Sequence, residues 1–273
     1  MRFRTLLGVG VLVACAASAA LLLGATHSAK ADPVAAPICA GDEGANATAL
    51  SGSYNNLTIT GNAYVADSAT VTVTGDLTLA PGACLDAFSL GTVKVSGSVY
   101  VGVYATLALG CAPGANGPPG TPPCTSVPPD TVGGSILAYW PKTMYLTAVT
   151  VGGDVSSYGG GFGLPYVNFP VKNMNIAGSL TIADWYAGPN SWVGALRNHI
   201  GGNMEIYGNW GNNPDPDSME FDGNTVGRSL ECQSNFPYPQ YGDAYDPTVG
   251  NGPNTVGGSA TGQCATLTTA PAS

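Results

Sequence analysis

One local pattern returns nine times along the 273 residues: an apolar-alternating stretch, a Gly or its replacement, a small polar residue, then a second apolar-alternating stretch. It is plainest at Val71 to Leu79, VTVTGDLTL, and recurs as ITGNAYV, VSGSVYV, VGGSILA, VGGDVSS, IAGSLTI, IGGNMEI, VGRSLEC and VGGSATG. A unit this short cannot bury its own apolar face, so it must stack on its neighbours, which is how solenoids are built. Measured at the residue before the polar position (61, 75, 97, 134, 153, 178, 202, 228 and 258), the gaps run 14, 22, 37, 19, 25, 24, 26 and 30 residues. Their mean, about 25, suits one coil of a parallel β-helix. A β-sandwich would show turn signals about every 8–12 residues instead. The spacing therefore predicts an all-β, single-domain parallel β-helix (β-solenoid) with loop insertions and disulfides. Gly followed by Asp, Ser or Asn also suits hairpins, but a meander of hairpins would need such turns twice as often.

Parity assigns the faces. Val71, Val73, Leu77 and Leu79 should point inward and Thr72, Thr74, Asp76 and Thr78 outward. Gly75 between them reads as a crowded corner where a Cβ would stand in the way.

The first residues read as an export signal. Arg2 and Arg4 give a positive start, Leu6 to Ala25 is apolar, and Ala29, Lys30 and Ala31 form an AxA site that predicts cleavage before Asp32. The apolar stretch approaches the length of a membrane span, so a retained anchor is the alternative. Leu12 to Cys15 has the look of a lipobox, but the apolar residues after Cys15 are unlike the polar linker of a lipoprotein. After cleavage no segment is long and apolar enough to enter a bilayer, and the expected location is secreted, extracellular or at the cell surface.

Cleavage changes the charge. Lys94, Lys142, Lys172, Arg197 and Arg228 remain as five cations against all 17 acidic residues, a net charge of −12. Such a chain has no electrostatic footprint for phosphate backbones, which sets nucleic acid aside as a partner. The expected organisation is a signal peptide at 1–31, a lead-in capping the first coil at 32–54, a solenoid at 55–267 with insertions at 111–130 and 233–249, and a frayed tail at 268–273.

Six Cys follow the leader: Cys39, Cys84, Cys111, Cys124, Cys232 and Cys264. An even count in an exported chain reads as disulfides, with fifteen possible connectivities. Proximity favours Cys111 with Cys124 and Cys232 with Cys264, leaving Cys39 with Cys84. The first pair would close the Pro-rich insertion that accounts for the gap of 37, and the second would clamp the last coil.

The stretches NTVGRSLECQSN from Asn224 and NTVGGSATGQC from Asn254, together with APGACL at Ala80 to Leu85, carry a resemblance. They are similar to a group of secreted actinobacterial repeat proteins of uncharacterised function, whose coils read VGGNVTV and APGATL and whose C-termini repeat NTVGGNLQC. The resemblance implies a right-handed parallel β-helix. It carries over no catalytic residue. This chain departs from the pattern at Arg228, which replaces the second Gly, and in its aromatic-rich middle section.

Four constellations bear on function. Asp154, Asp184 and Glu205 fall in successive coils and could flank a sugar chain as a carboxylate pair, the requirement of a polysaccharide hydrolase. Against that, Asp154 occupies the polar position after the motif Gly, where other coils carry Asp76, Ser98, Ser135, Ser179 and Asn203, so it reads as a turn residue. No GxSxG elbow exists, and His199, the one His after the leader, reads as a solvent-facing strand residue. Asp215, Asp217, Glu220 and Asp222 supply oxygen ligands for calcium, yet their spacing is not that of an EF-hand and a solvated acidic loop is the simpler reading. Trp185, Tyr186 and Trp192, with Tyr207 and Trp210 one coil later, could form a ladder for sugar rings, helped by Asn190, Asn209 and Asn212. Alternatively, these rings cover the core. The expectation is a structural or adhesive solenoid without cofactor or catalysis, with cell-envelope polysaccharide or another surface protein as partner; carbohydrate binding and polysaccharide degradation by a hydrolase or lyase are the alternatives.

Overall fold

A computed structural model of the chain describes residues 39, 47–111, 129–165, 167–211, 218–241 and 252–269. Within them the strands form three long sheets, and every strand pairing is parallel. The first face has eight strands, from Thr48–Leu50 to Met219–Asp222. The second has nine, from Gly52–Tyr54 to Thr255–Val256, and the third has nine, from Leu57–Ile59 to Ala260–Gly262. The chain visits first, second and third face in turn and pairs each strand with its counterpart one coil away. This is the parallel β-helix expected from the repeat, and no described residue is α-helical.

The inward residues explain why the sequence winds this way. On the second face Val73, Val95, Val132, Val151, Ile176, Ile200, Val226 and Val256 lie in register from coil to coil. β-branched side chains suit a pleated surface, and stacked in this way they fill the same slot in each coil. Val71, Val73, Leu77 and Leu79 are all buried, as their parity requires. Each fully buried aliphatic of this kind contributes about 1.5–3 kcal/mol.

The Gly-polar motif has an axial purpose. The oxygens of Asn56, Asp76, Ser98, Ser135, Asp154, Ser179 and Asn203 each accept from the backbone amide at the equivalent position of the next coil, at 2.7–3.2 Å. A Cβ on Gly75, Gly97, Gly134, Gly153, Gly178 or Gly202 would overlap the polar side chain of the coil beneath. The crowding foreseen at Gly75 is therefore real, and it comes from the neighbouring coil. None of these six has a positive φ. At Arg228, where the Gly is missing, the ladder contact is the longest, 3.2 Å from Ser229 N to Asn203.

One repeat was misplaced by its sequence. Gly61 in ITGNAYV precedes strand Asn62–Val65, which pairs with Cys84–Phe88 on the first face. The true counterpart of Gly75 is Asn55, whose carbonyl accepts from Gly75 N at 2.6 Å. The first gap is thus 20 residues, not 14, as the pairing of Leu57 with Leu77 requires. The ladder also starts inside the stretch read as a lead-in, because Thr48–Leu50 and Gly52–Tyr54 already pair with the next coil.

Disulfides join Cys39 to Cys84 and Cys232 to Cys264, with Cα atoms 5.8 and 5.2 Å apart. Cys111 is disulfide-bonded, and Cys124, its expected partner, lies outside the described residues. After the insertion, Asp130 returns to the core and its carboxylate accepts from Val93 N at 2.7 Å and Gly110 N at 2.9 Å. Burial raises its pKa to about 6, opposed by these two hydrogen bonds.

Candidate functional site: an aromatic corner and its acidic flank

Where the chain leaves the third face it turns through a residue in the left-handed region. Trp140, Gly159, Asp184, Gly208 and Ser234 hold this position in five consecutive coils, with φ between 51° and 69°. In the last three of these coils the following residue (Trp185, Asn209 or Asn235) points into the core and the next (Tyr186, Trp210 or Phe236) points out. The inward amides stack. Asn209 accepts from Trp185 N at 3.0 Å, Asn235 from Asn209 N and Nδ2 at 3.1 and 2.9 Å, and Gln263 from Asn235 N and Nδ2 at 2.8 and 3.0 Å. This column fixes the corner, and with it the direction of the outward rings.

Those rings form a stripe. Tyr104, Trp140, Phe162, Tyr186, Trp210 and Phe236 place one exposed aromatic on this corner in each of six consecutive coils, with 36–55% of each residue accessible. Ring centroids are 5.2 Å apart for Tyr104 and Phe162, 6.1 Å for Trp140 and Phe162, and 4.9 Å for Trp210 and Phe236. Tyr186 and Trp210 are register partners in a short parallel ladder, continued by a bridge from Trp210 to Phe236. The run YGGGFG at Tyr158 to Gly163 makes the upper half possible. A Cβ on Gly159 would strike the ring of Trp140, on Gly160 or Gly161 that of Trp185, and on Gly163 that of Tyr186. This run is absent from the candidate residues above, and its signal in the sequence is three adjacent Gly beside aromatic residues.

An open cleft of about 500 Å³ lies beside the stripe, lined by Asp184, Glu205, Tyr207, Gly208, Glu231, Gln233 and Ser234. Glu205 and Glu231 are register partners, as are Tyr207 and Gln233. Gln233 Nε2 donates to Glu231. Burial, then the charges of Tyr158, Glu205 and Asp184, push the Tyr207 phenol above its usual value.

The candidate residues fall into separate groups. Tyr186 and Trp210 sit together on the stripe, and Asp184, Glu205 and Tyr207 line the cleft. Trp185 does not face solvent: it is fully buried and packs on Phe169 at 4.9 Å, because the residue after each left-handed corner enters the core. Asn209 is likewise buried in the amide column, while Asn190 is exposed and Asn212 lies outside the described residues. Trp192 is half-buried, donates from Nε1 to Glu220, and has Lys172 Nζ 4.8 Å over its ring. Asp154 belongs to the axial ladder, accepting from Ser179 N at 2.7 Å. His199 is exposed on a strand.

Of the acidic loop, Asp215 and Asp217 lie outside the described residues. Glu220 and Asp222 are buried; burial raises Asp222 to about 7 against the opposing pull of Arg197 and Lys172. Among the described residues no group of three or more His, Cys, Asp or Glu could hold a metal ion. No described helix is long and apolar enough to cross a membrane. The chain matches no family model, no curated protein and no solved structure.

Proposed function

We propose that this chain is an exported, non-catalytic β-solenoid that works by contact, as a rigid rod whose aromatic corner adheres to a surface outside the cell. The observation that carries the reading is the outward aromatic repeated on one corner through six consecutive coils. Rings that keep about half of their surface in water on one corner form contiguous exposed apolar surface, which marks interaction sites. Export is supported by the disulfides, which persist in oxidising compartments, and cleavage near Ala31 rests on the AxA site alone. The test is cosedimentation of the disulfide-intact chain with washed actinobacterial cell envelopes. The chain is expected in the pellet, and Trp140→Ala combined with Trp210→Ala should leave it in the supernatant. A double variant that pellets as fully as the parent would refute the contact role of the corner.

One observation favours a second reading, polysaccharide hydrolysis: Asp184 and Glu205 line the same open cleft, as a carboxylate pair must. Reducing ends released from a polysaccharide panel, and abolished by Glu205→Gln, would replace the contact reading with this one.

A further inference from the structure

Among the described residues, and apart from the buried Glu220 and Asp222, the carboxylates are of two kinds. Those of Asp67, Asp76, Asp86, Asp130 and Asp154 each accept from at least one backbone amide, at 2.7–3.1 Å, and so take part in the fold. Asp184 and Glu205 hold no backbone amide, and both open into the cleft beside the stripe. Glu231 joins them there, engaged only by the side chain of Gln233. Acceptors that the fold does not use thus stand in columns next to Tyr186, Trp210 and Phe236.

Ring and acceptor recur with the coil, and coils rise about 4.8 Å, close to the length of one pyranose unit. A glycan strand laid along the solenoid axis would meet at successive sugars an aromatic surface for the apolar side of the ring and a carboxylate for its hydroxyls, from the corner residue Asp184 in one coil and from the register partners Glu205 and Glu231 in the next two. No cation lines the cleft, and the protein carries a net charge of −9, so polyanionic chains are repelled while uncharged hydroxyl-rich ones are not.

We infer that the corner from Tyr186 to Phe236, with Asp184, Glu205 and Glu231 at its side, binds a neutral polysaccharide strand running parallel to the solenoid axis. The inference rests on the contact role of the corner and names the class of surface that it touches. Tyr186, Trp210 and Phe236 supply stacking area. The carboxylates accept hydroxyl hydrogen bonds, which an ionised acceptor makes stronger than a neutral one does.

The experiment is pull-down of the disulfide-intact chain on insoluble cellulose, chitin and xylan, with polygalacturonate as the anionic comparison and with cell envelopes in parallel. Retention is expected on at least one neutral polymer and not on polygalacturonate. Trp210→Ala and Tyr186→Ala should each weaken it about tenfold, a loss within the range for stacked rings. Glu205→Gln combined with Glu231→Gln should weaken it several-fold, while high salt should change it little, since no ion pair is involved. Retention on envelopes but on none of the neutral polymers would overturn the ligand class and leave the contact reading standing; failure on both would overturn both. The inference also falls if Trp210→Ala converts a dimer to a monomer by light scattering, because the corner is then an interface between two copies.

Discussion

Two corners of this solenoid use the same backbone device for different ends. Between the first and second faces, Ala148, Asn173, Arg197 and Gly223 take the left-handed conformation, with φ of 54–62°. The residue after each is buried: Val149, Met174, Asn198 and Asn224, with Asn254 continuing the column. Asn198 and Asn224 each donate from Nδ2 both to the next Asn and to a carbonyl of the preceding coil, all at 2.8 Å. The other corner repeats this interior with Asn209, Asn235 and Gln263, yet turns Tyr186, Trp210 and Phe236 outward. A left-handed residue followed by a buried amide builds a corner, and the aromatic that follows is an addition the corner does not need. Function should therefore separate from stability along this line.

The strongest break in the comparison is Asn224→Ala. It removes an acceptor shared by Asn198 N and Nδ2 and a donor to Ala195 O, leaving buried groups unpaired. Each such group costs about 1–3 kcal/mol, so a loss on the order of 3–5 kcal/mol is expected in chemical denaturation. A loss below about 1 kcal/mol would mean the amide column is not what holds this corner.

The next effect is pH-dependent and lies at the first of these corners, where Asp130 holds the position that Val149 takes one coil later. The folded-state pKa of Asp130 lies above its unfolded value, near 6 against 3.8, so the folded protein holds the proton more tightly. The corresponding stability is fully present below about pH 4 and is lost as pH rises through about 6, an effect of roughly 2–3 kcal/mol. Burial shifts Asp222 in the same direction, toward about 7. Melting temperature should rise as pH falls from 8 to 5, against the usual behaviour of salt-bridged carboxylates. Asp130→Asn should flatten that slope; an unchanged slope would remove Asp130 as its source.

A third effect concerns the axial ladder. Gly178→Ala places a Cβ against Asp154 and should cost about 1–3 kcal/mol in the same assay. Pairing it with Asp154→Ala should recover part of the loss, since the obstructing side chain is then gone. An unrelieved double variant would point to backbone crowding from Gly153 instead.

These effects also mark what could be read in the sequence. The coil was legible because inward Val, Ile and Leu alternate on either side of a Gly that packing demands, so composition and geometry repeat together. Gly61 misled because the corner at Asn55 and Asn56 lacks the Gly, and a nearby Gly-Asn pair in another face took its place. The amide columns were written in the chain as NHIGG, NTVGR and NTVGG, but an Asn next to a corner looks like any turn residue until its partner one coil away is known. Trp185 and Tyr186 are neighbours with opposite fates for the same reason. A single left-handed residue, Asp184, shifts the alternation, and no local pattern announces it. Tyr186 and Trp210 could be paired from the repeat, whereas Phe236 could not, because it falls in a stretch that reads as a surface loop.

The smallest expected change in stability is the most informative one. Trp210→Ala removes a half-exposed ring whose backbone stays tied by Trp210 N to Trp185 O at 2.7 Å. Its neighbour in sequence, Asn209, is buried, donates to Ile182 O and Asn235, and accepts from Trp185 N. On the two-corner argument, Asn209→Ala should destabilise the fold by about 2–4 kcal/mol, as buried polar groups lose their partners. Trp210→Ala should shift stability by no more than about 0.5–1 kcal/mol, the worth of its contact with Phe236. Surface binding should order the two differently, with Trp210→Ala defective at temperatures where Asn209→Ala is still folded and competent. If both variants lose binding and stability in proportion, the ring belongs to the scaffold after all, and the outward half of this corner has no task separate from its inward half.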